Sequence, residues 1–257
     1  MNDLIKFSNT IESNIFIGNI PSILLTPKDG SKPYPTIFLY HGWGSNTERQ
    51  RFRGFILCSL GYQVIIPCAA YHGTRNPVDH NNVYYAVNYF WRVVINNIEE
   101  SDGLIQKVVM NFNADPNRMG VIGNSMGGFT SAGIFAKNKN IKTAVIFNGS
   151  CDWECSNKIF MKQLKSGNTD IGKSIEEKIN KYDPSNNLKD IINRPMLLLH
   201  GDHDTTVSIE AQREFYKKAL PLYEDKDKLN FIEYPNLNHF VTTNMMEEAA
   251  IWFDKYL

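Results

Sequence analysis

Strand-length apolar runs and amphipathic stretches alternate between residues 35 and 256, and this alternation constrains the fold more than any other feature of the chain. Runs at 35–40, 63–67, 118–123, 143–147, 194–199 and 229–234 are short, continuous and rich in Val, Ile, Leu and Phe, the pattern of strands buried on both faces. Between them, 46–60, 84–99, 126–137, 208–220 and 242–256 carry apolar residues at helical spacing, and Gly61 stops the first. Such alternation predicts an α/β fold: a mostly parallel central sheet with helices on both faces. Residues 11–25 differ, alternating apolar with polar around Gly18-Asn19, and predict an antiparallel hairpin at the start. The rhythm breaks from 151 to 193, where no strand pattern occurs and two charged helical stretches, about 154–165 and 172–181, fill the gap. Neither repeat nor linker is visible, so the 257 residues read as one domain, 1–257, with an insert at 151–193.

Charge and cysteine usage narrow the function classes. Lys+Arg and Asp+Glu are both 27, which gives none of the basic excess that nucleic-acid binding requires and no polybasic route to a membrane surface. No apolar run approaches the length of a spanning helix, and Met1-Asn2-Asp3-Leu4-Ile5-Lys6 lacks the pattern of a secretory signal. The expected setting is therefore cytoplasmic, with Cys58, Cys68, Cys151 and Cys155 as reduced thiols. Cys151 and Cys155 could supply half a metal site, but no nearby Cys or His completes four ligands, so no metal is expected.

In open α/β sheets, ligands bind at the carboxyl ends of strands, and the polar signals lie there. After the strand at 118–123 the chain reads Gly123-Asn124-Ser125-Met126-Gly127-Gly128 and enters a helix. This is G-x-S-x-G in the strand–turn–helix setting of a nucleophile elbow, a turn so tight that the positions two before and two after the serine must be nearly free of side chain. A phosphate-binding loop is the alternative, but no lysine follows the glycines.

A serine nucleophile needs a base, and the base needs an orienting acid. Of the six histidines only His200, His203 and His239 follow Ser125. His200 ends an apolar run and reads as structural or as pocket floor; His239 lies between the last strand and the last helix, where the general base is expected. The acid is sought in Gly201-Asp202-His203-Asp204-Thr205-Thr206-Val207. Asp204 lies further from the strand end, toward the His239 loop, whereas Asp202 is placed to tie the loop to backbone N–H groups. Asp152 is a third choice. Two donors should hold the oxyanion: the Met126 N–H, directly after the nucleophile, and the Trp43 N–H from Tyr40-His41-Gly42-Trp43-Gly44, with His41 orienting that loop.

Together these residues resemble the α/β-hydrolase superfamily, and in particular bacterial serine esterases close to its prolyl-oligopeptidase-like and dienelactone-hydrolase-like branches. The likeness covers residues 10–257 and rests on His41-Gly-Trp-Gly44, Gly123-Asn-Ser-Met-Gly-Gly128, His200-Gly-Asp-His-Asp-Thr-Thr-Val207 and His239. In that family H-G-x-x-D-x-x-V places the acid at the position of Asp204. Tyr71-His-Gly-Thr-Arg75 looks like a family loop bordering the active site, and the insert at 151–193 sits where a lid is common. The resemblance implies a carboxylic ester hydrolase with Ser125, His239 and Asp204 as triad, Met126 and Trp43 at the oxyanion hole, and no cofactor. Tyr71, His72 and Trp153 are expected to line a compact pocket for a short-chain or aromatic ester, with Ile159, Phe160 and Met161 under the lid. Two departures are plain: dienelactone hydrolases carry a cysteine nucleophile, and prolyl oligopeptidases carry a large N-terminal propeller. A thioesterase, amidase, small peptidase or acyltransferase on the same machinery is the alternative, and a non-catalytic binding protein a further one. The expected partner is a small-molecule ester; a homodimer is left open.

Overall fold

The computed structural model describes residues 8–163 and 172–257. The early alternation folds as β1 (Thr10–Ile17) and β2 (Ile20–Pro27), paired antiparallel across a turn in which Gly18 takes φ +60°. The apolar runs become β3 (Tyr34–Tyr40), β4 (Gln63–Pro67), β5 (Ala114–Asn124), β6 (Ile141–Phe147), β7 (Met196–Gly201) and β8 (Leu229–Tyr234). They form one eight-stranded sheet in the order β1-β2-β4-β3-β5-β6-β7-β8. The β1–β2 and β2–β4 pairs are antiparallel and every other pair is parallel.

The helices are α1 (Thr47–Ser59), α2 (Val83–Asn111), α3 (Met126–Lys137), α4 (Trp153–Gln163), α5 (Lys173–Tyr182), α6 (Ile209–Ala219) and α7 (Thr243–Tyr256). Side chains alternate across a strand, so each buried strand feeds two cores. Ile37, Leu39, Val64, Ile66 and Ile122 face one layer with Phe55 and Leu57 of α1 and Trp252 and Phe253 of α7. Phe38, Tyr40, Ile65 and Val121 face the other with Trp91 of α2, Phe129 of α3 and Phe215 of α6. Helices thus cover both faces of the sheet, as the alternation required.

Two elements differ from the sequence reading. Helix α2 does not end near Glu99; it runs to Asn111, because Ile98, Ser101, Leu104, Ile105 and Val108 continue its buried stripe through a polar stretch. The stretch at 151–193 divides into parts with different settings, and its residues 164–171 lie outside those described. Helix α5 docks on α2, where Lys178 pairs with Glu99 at 2.9 Å, and short 3-10 turns at Pro184–Asn186 and Leu188–Asp190 lead back to β7.

The strand order positions the site. The chain leaves β3 toward β4 on one side and later returns to pair β5 on the other. Loops leaving β3 and β5 therefore diverge, opening a crevice at their carboxyl ends.

Candidate active site

Ser125 sits between β5 and α3 at φ 57°, ψ −124°, a left-handed conformation that costs a non-glycine residue about 1–3 kcal/mol. The surroundings force it there. The Ser125 N–H is held by the Phe147 carbonyl at 2.9 Å, and its own carbonyl accepts the Gly128 N–H at 2.7 Å. A Cβ on Gly123 would lie 2.1 Å from the Gly127 carbonyl oxygen, and one on Gly127 would lie 2.1 Å from the Tyr40 carbonyl oxygen. Both flanking positions therefore admit only glycine. Ser125 is nine-tenths buried, at 9% exposure, and heads a helix whose first N–H groups lack intrahelical acceptors and favour negative charge. The Met126 N–H is the first of these.

The loops that carry Asp204 and His239 meet because Gly201 has no side chain: a Cβ there would come within 2.2 Å of the Leu237 carbonyl oxygen. Asn238 Oδ1 reinforces the meeting by accepting the Thr205 N–H at 3.0 Å. Across this junction His239 Nδ1 donates to Asp204 Oδ2 at 2.6 Å. The Asp204 carboxylate is fully buried. It also accepts the Thr206 and Val207 N–H groups at 2.8 Å each and His200 Nε2 at 3.1 Å. Burial pushes its pKa up, but the hydrogen bonds from His200 and His239 and the charge of His239 outweigh it, so the carboxyl stays far below its ordinary range. Asp202 binds the Asn236 N–H at 2.7 Å and His203 Nδ1 at 2.6 Å. Asp152 is engaged elsewhere, with Lys218 at 2.6 Å.

On the opposite side, Gly42 packs against the elbow; a Cβ on it would lie 3.3 Å from Ser125 Cβ. His41 Nδ1 donates to the Gly42 carbonyl at 2.9 Å, and its Nε2 accepts the Ala69 N–H at 3.1 Å. His72 Nε2 accepts the Gly44 N–H at 3.1 Å. These contacts tie both neighbours of Trp43 and leave the Trp43 amide between two fixed points. Burial lowers the His41 pKa to about 4 and the His72 pKa to about 3, so both are neutral struts at pH 7.

A cavity of about 250 Å³ opens beside Ser125, between Trp43, the first half of α2, Phe129 and α4. Ile159, Phe160 and Met161 of α4 line it. Three residues expected in the pocket are not among those lining it. Trp153 is wholly buried one layer back; its indole donates to the Ser150 carbonyl and its ring backs Trp91, which does line the cavity. His72 is buried beneath the Trp43 loop as the acceptor described above. Tyr71 takes φ 59°, and its carbonyl accepts His80 Nε2 at 3.0 Å while its ring packs on Tyr89. The sequence reading missed the wall from α2, including Ala86, Val87, Phe90 and Trp91. Its signal was present as apolar residues at i, i+3 and i+4 spacing. It also missed His80, whose carbonyl accepts the Trp43 indole N–H at 3.0 Å. Among the described residues no cluster of three His, Cys, Asp or Glu could hold a metal ion.

The sheet order, the crossovers and the serine turn at its switch point define the α/β-hydrolase fold. A structure from Thermus thermophilus, TT1662, superimposes with a TM-score of 0.77 at 15% identity, covering 96% of this chain and 97% of that one. The pattern of the prolyl oligopeptidase family matches residues 98–257, and the chain belongs to that family of serine hydrolases. In sequence it is 27% identical to YitV of Bacillus subtilis (strain 168), whose name marks it provisionally as an esterase, over 95% of this chain and 98% of that protein. It is 24% identical to the esterase YjfP of Escherichia coli (strain K12), over 88% of this chain and 90% of that protein. No helix among the described residues is long and apolar enough to cross a membrane.

Proposed function

We propose that this chain is a serine esterase that cleaves small carboxylic esters through a Ser125–His239–Asp204 triad and an acyl-enzyme. The observation that carries the reading is the pairing of a strained, glycine-flanked Ser125 with a His239–Asp204 contact of 2.6 Å, both at the carboxyl end of the sheet. Ser125 Oγ attacks the ester carbonyl and His239 takes its proton. Asp204 holds the imidazole with Nδ1–H toward itself, leaving Nε2 to act as base. The Met126 and Trp43 N–H groups receive the oxyanion. His239 then protonates the departing alcohol and activates the water that frees the acid. The domain is single, and α4 covers the site from the 151–193 segment. The two esterase-named relatives support oxygen esters as the substrate class.

Wild-type protein should turn over p-nitrophenyl butyrate, and Ser125→Ala should lower kcat by at least about 10⁴-fold. A fluorophosphonate probe should label the wild type at Ser125 alone. Activity retained by Ser125→Ala would overturn the assignment. The family's name favours amide hydrolysis as a second reading. An anilide with the same acyl group, cleaved as fast as the ester, would replace the first reading by it.

A further inference from the structure

Three properties of the cavity beside Ser125 identify what it holds. The first is position. Its wall includes Ser125 and Trp43 but not His239. A leaving group must lie at His239 to receive its proton, so the half of the substrate in the cavity is the half that stays on the serine. The second is chemistry. Among the described residues lining it there is no Asp, Glu, Lys or Arg, and burial holds the His80 imidazole below its ordinary range. The wall is mostly apolar, with Val87, Phe90, Trp91, Phe129, Ile159 and Phe160 among the residues that line it. A charged group brought there would lose its hydration with no counter-charge. The third is size. At about 250 Å³ the space exceeds the roughly 150 Å³ that suffices to hold benzene. Polar residues also line it, among them Asn81, Ser156, Asn157 and Thr206, and none of these carries a charge.

We propose that this cavity is the acyl site and that it selects neutral, aromatic or medium-chain acyl groups, of phenylacetyl to octanoyl size, over acetyl and over acyl groups bearing a free amine. The proposal rests on Ser125 as the nucleophile. It moves the pocket from the strand-end loops, where Tyr71 and His72 lie, to the groove between α2 and α4. It also sets this chain apart from an aminopeptidase, whose substrate amine would need a carboxylate in the wall.

The test compares kcat/KM for p-nitrophenyl acetate, hexanoate, phenylacetate and 6-aminohexanoate. Hexanoate and phenylacetate should exceed acetate at least tenfold, and 6-aminohexanoate should fall at least tenfold below hexanoate. Ala86→Phe, which fills the groove from α2, should lower the hexanoate-to-acetate ratio at least tenfold, and Phe160→Ala should shift the optimum to longer chains. A flat wild-type profile, or two variants that change all esters alike, would overturn the proposal. A binding arm separates this from failure of the nucleophile reading. In Ser125→Ala, phenylacetamide should quench tryptophan fluorescence, 6-aminohexanamide should not, and adding Ala86→Phe should abolish the quench. Absence of any phenylacetamide binding would overturn the acyl site whatever the fate of Ser125.

Discussion

Asp204 shows what one side chain must balance to serve a buried site. Its carboxylate is fully shielded from water, which alone would favour the neutral acid. Four donors reverse that: His239, His200 and the two N–H groups of Thr206 and Val207. On the proposed mechanism Asp204→Asn should cut kcat by about 10⁴-fold, because the amide holds the wrong tautomer of His239. His200 has a subtler part. Its Nε2–H is shared between the Val207 carbonyl at 2.9 Å and Asp204 Oδ2 at 3.1 Å, so it draws off charge that would otherwise stabilise a protonated His239. His200→Phe should therefore shift the acid limb of the kcat/KM profile to higher pH, with a smaller loss of rate than Asp204→Asn. An unmoved acid limb would show that His200 only packs. Nothing in the sequence pointed to this contact, since a histidine ending an apolar strand looks structural. The strained turn at Ser125 was legible from the steric demands of G-x-S-x-G, and the meeting of Asp204 with His239 from the positions of their loops after two strands and from the family resemblance. Tyr71 and His72 were placed in the pocket because their loop looks like a family loop at the site, and Trp153 because it lies in the insert, and neither ground says which way a side chain turns.

At the scale of elements, the packing of α3 on β3 sets how close Ser125 and the Trp43 loop can come. Gly127 is the contact point, 2.1 Å from the Tyr40 carbonyl oxygen to any added Cβ, and both groups are backbone. Gly127→Ala should cost about 3 kcal/mol or more, with a Tm fall on the order of 6–12 °C in thermal melts. Gly103 makes the contrast. It lies inside α2, and a Cβ there meets nothing within 4 Å. Gly103→Ala should stabilise by roughly 0.5–1 kcal/mol through helix propensity alone. A stabilised Gly127→Ala, or a destabilised Gly103→Ala, would contradict the packing described. The same glycine explains the misjudged end of α2: Glu99-Glu100-Ser101-Asp102-Gly103 reads as a stop, yet the stripe through Leu104, Ile105 and Val108 carries enough burial to override it. Helix α4 was legible as a cover because Ile159, Phe160 and Met161 make an apolar face. Helix α5 was legible as a second helix but its docking on α2 was not, because its partner Glu99 is remote in sequence.

The whole molecule has no net charge, with 27 basic and 27 acidic residues, so its response to pH is set by a few buried groups more than by global repulsion. His41 and His72 have folded-state pKa values lowered by burial to about 4 and about 3. For groups depressed in this way, the stability they permit is complete above the unfolded value near 6.5 and is lost as pH falls toward the folded value. Asp183 has the opposite sign. Burial raises its pKa to about 6 even though it accepts the Ser185, Trp153 and Glu154 N–H groups, so it gains stability as pH falls through 6. Asp204 stays ionised throughout this window and takes no part. Between pH 6.5 and 4 the two histidines cost roughly 3 kcal/mol each and Asp183 returns roughly 3, leaving a net loss of about 3 kcal/mol. The Tm should accordingly fall steadily from pH 6.5 to pH 4. His72→Gln keeps an acceptor for the Gly44 N–H but cannot titrate, and it should lose at least half of that fall. Both struts hold the loop of Trp43, so esterase activity should decline irreversibly over the same interval in the wild type and less so in the variant. Equal acid sensitivity of the two proteins would show that the Trp43 loop is not where acid first opens the fold.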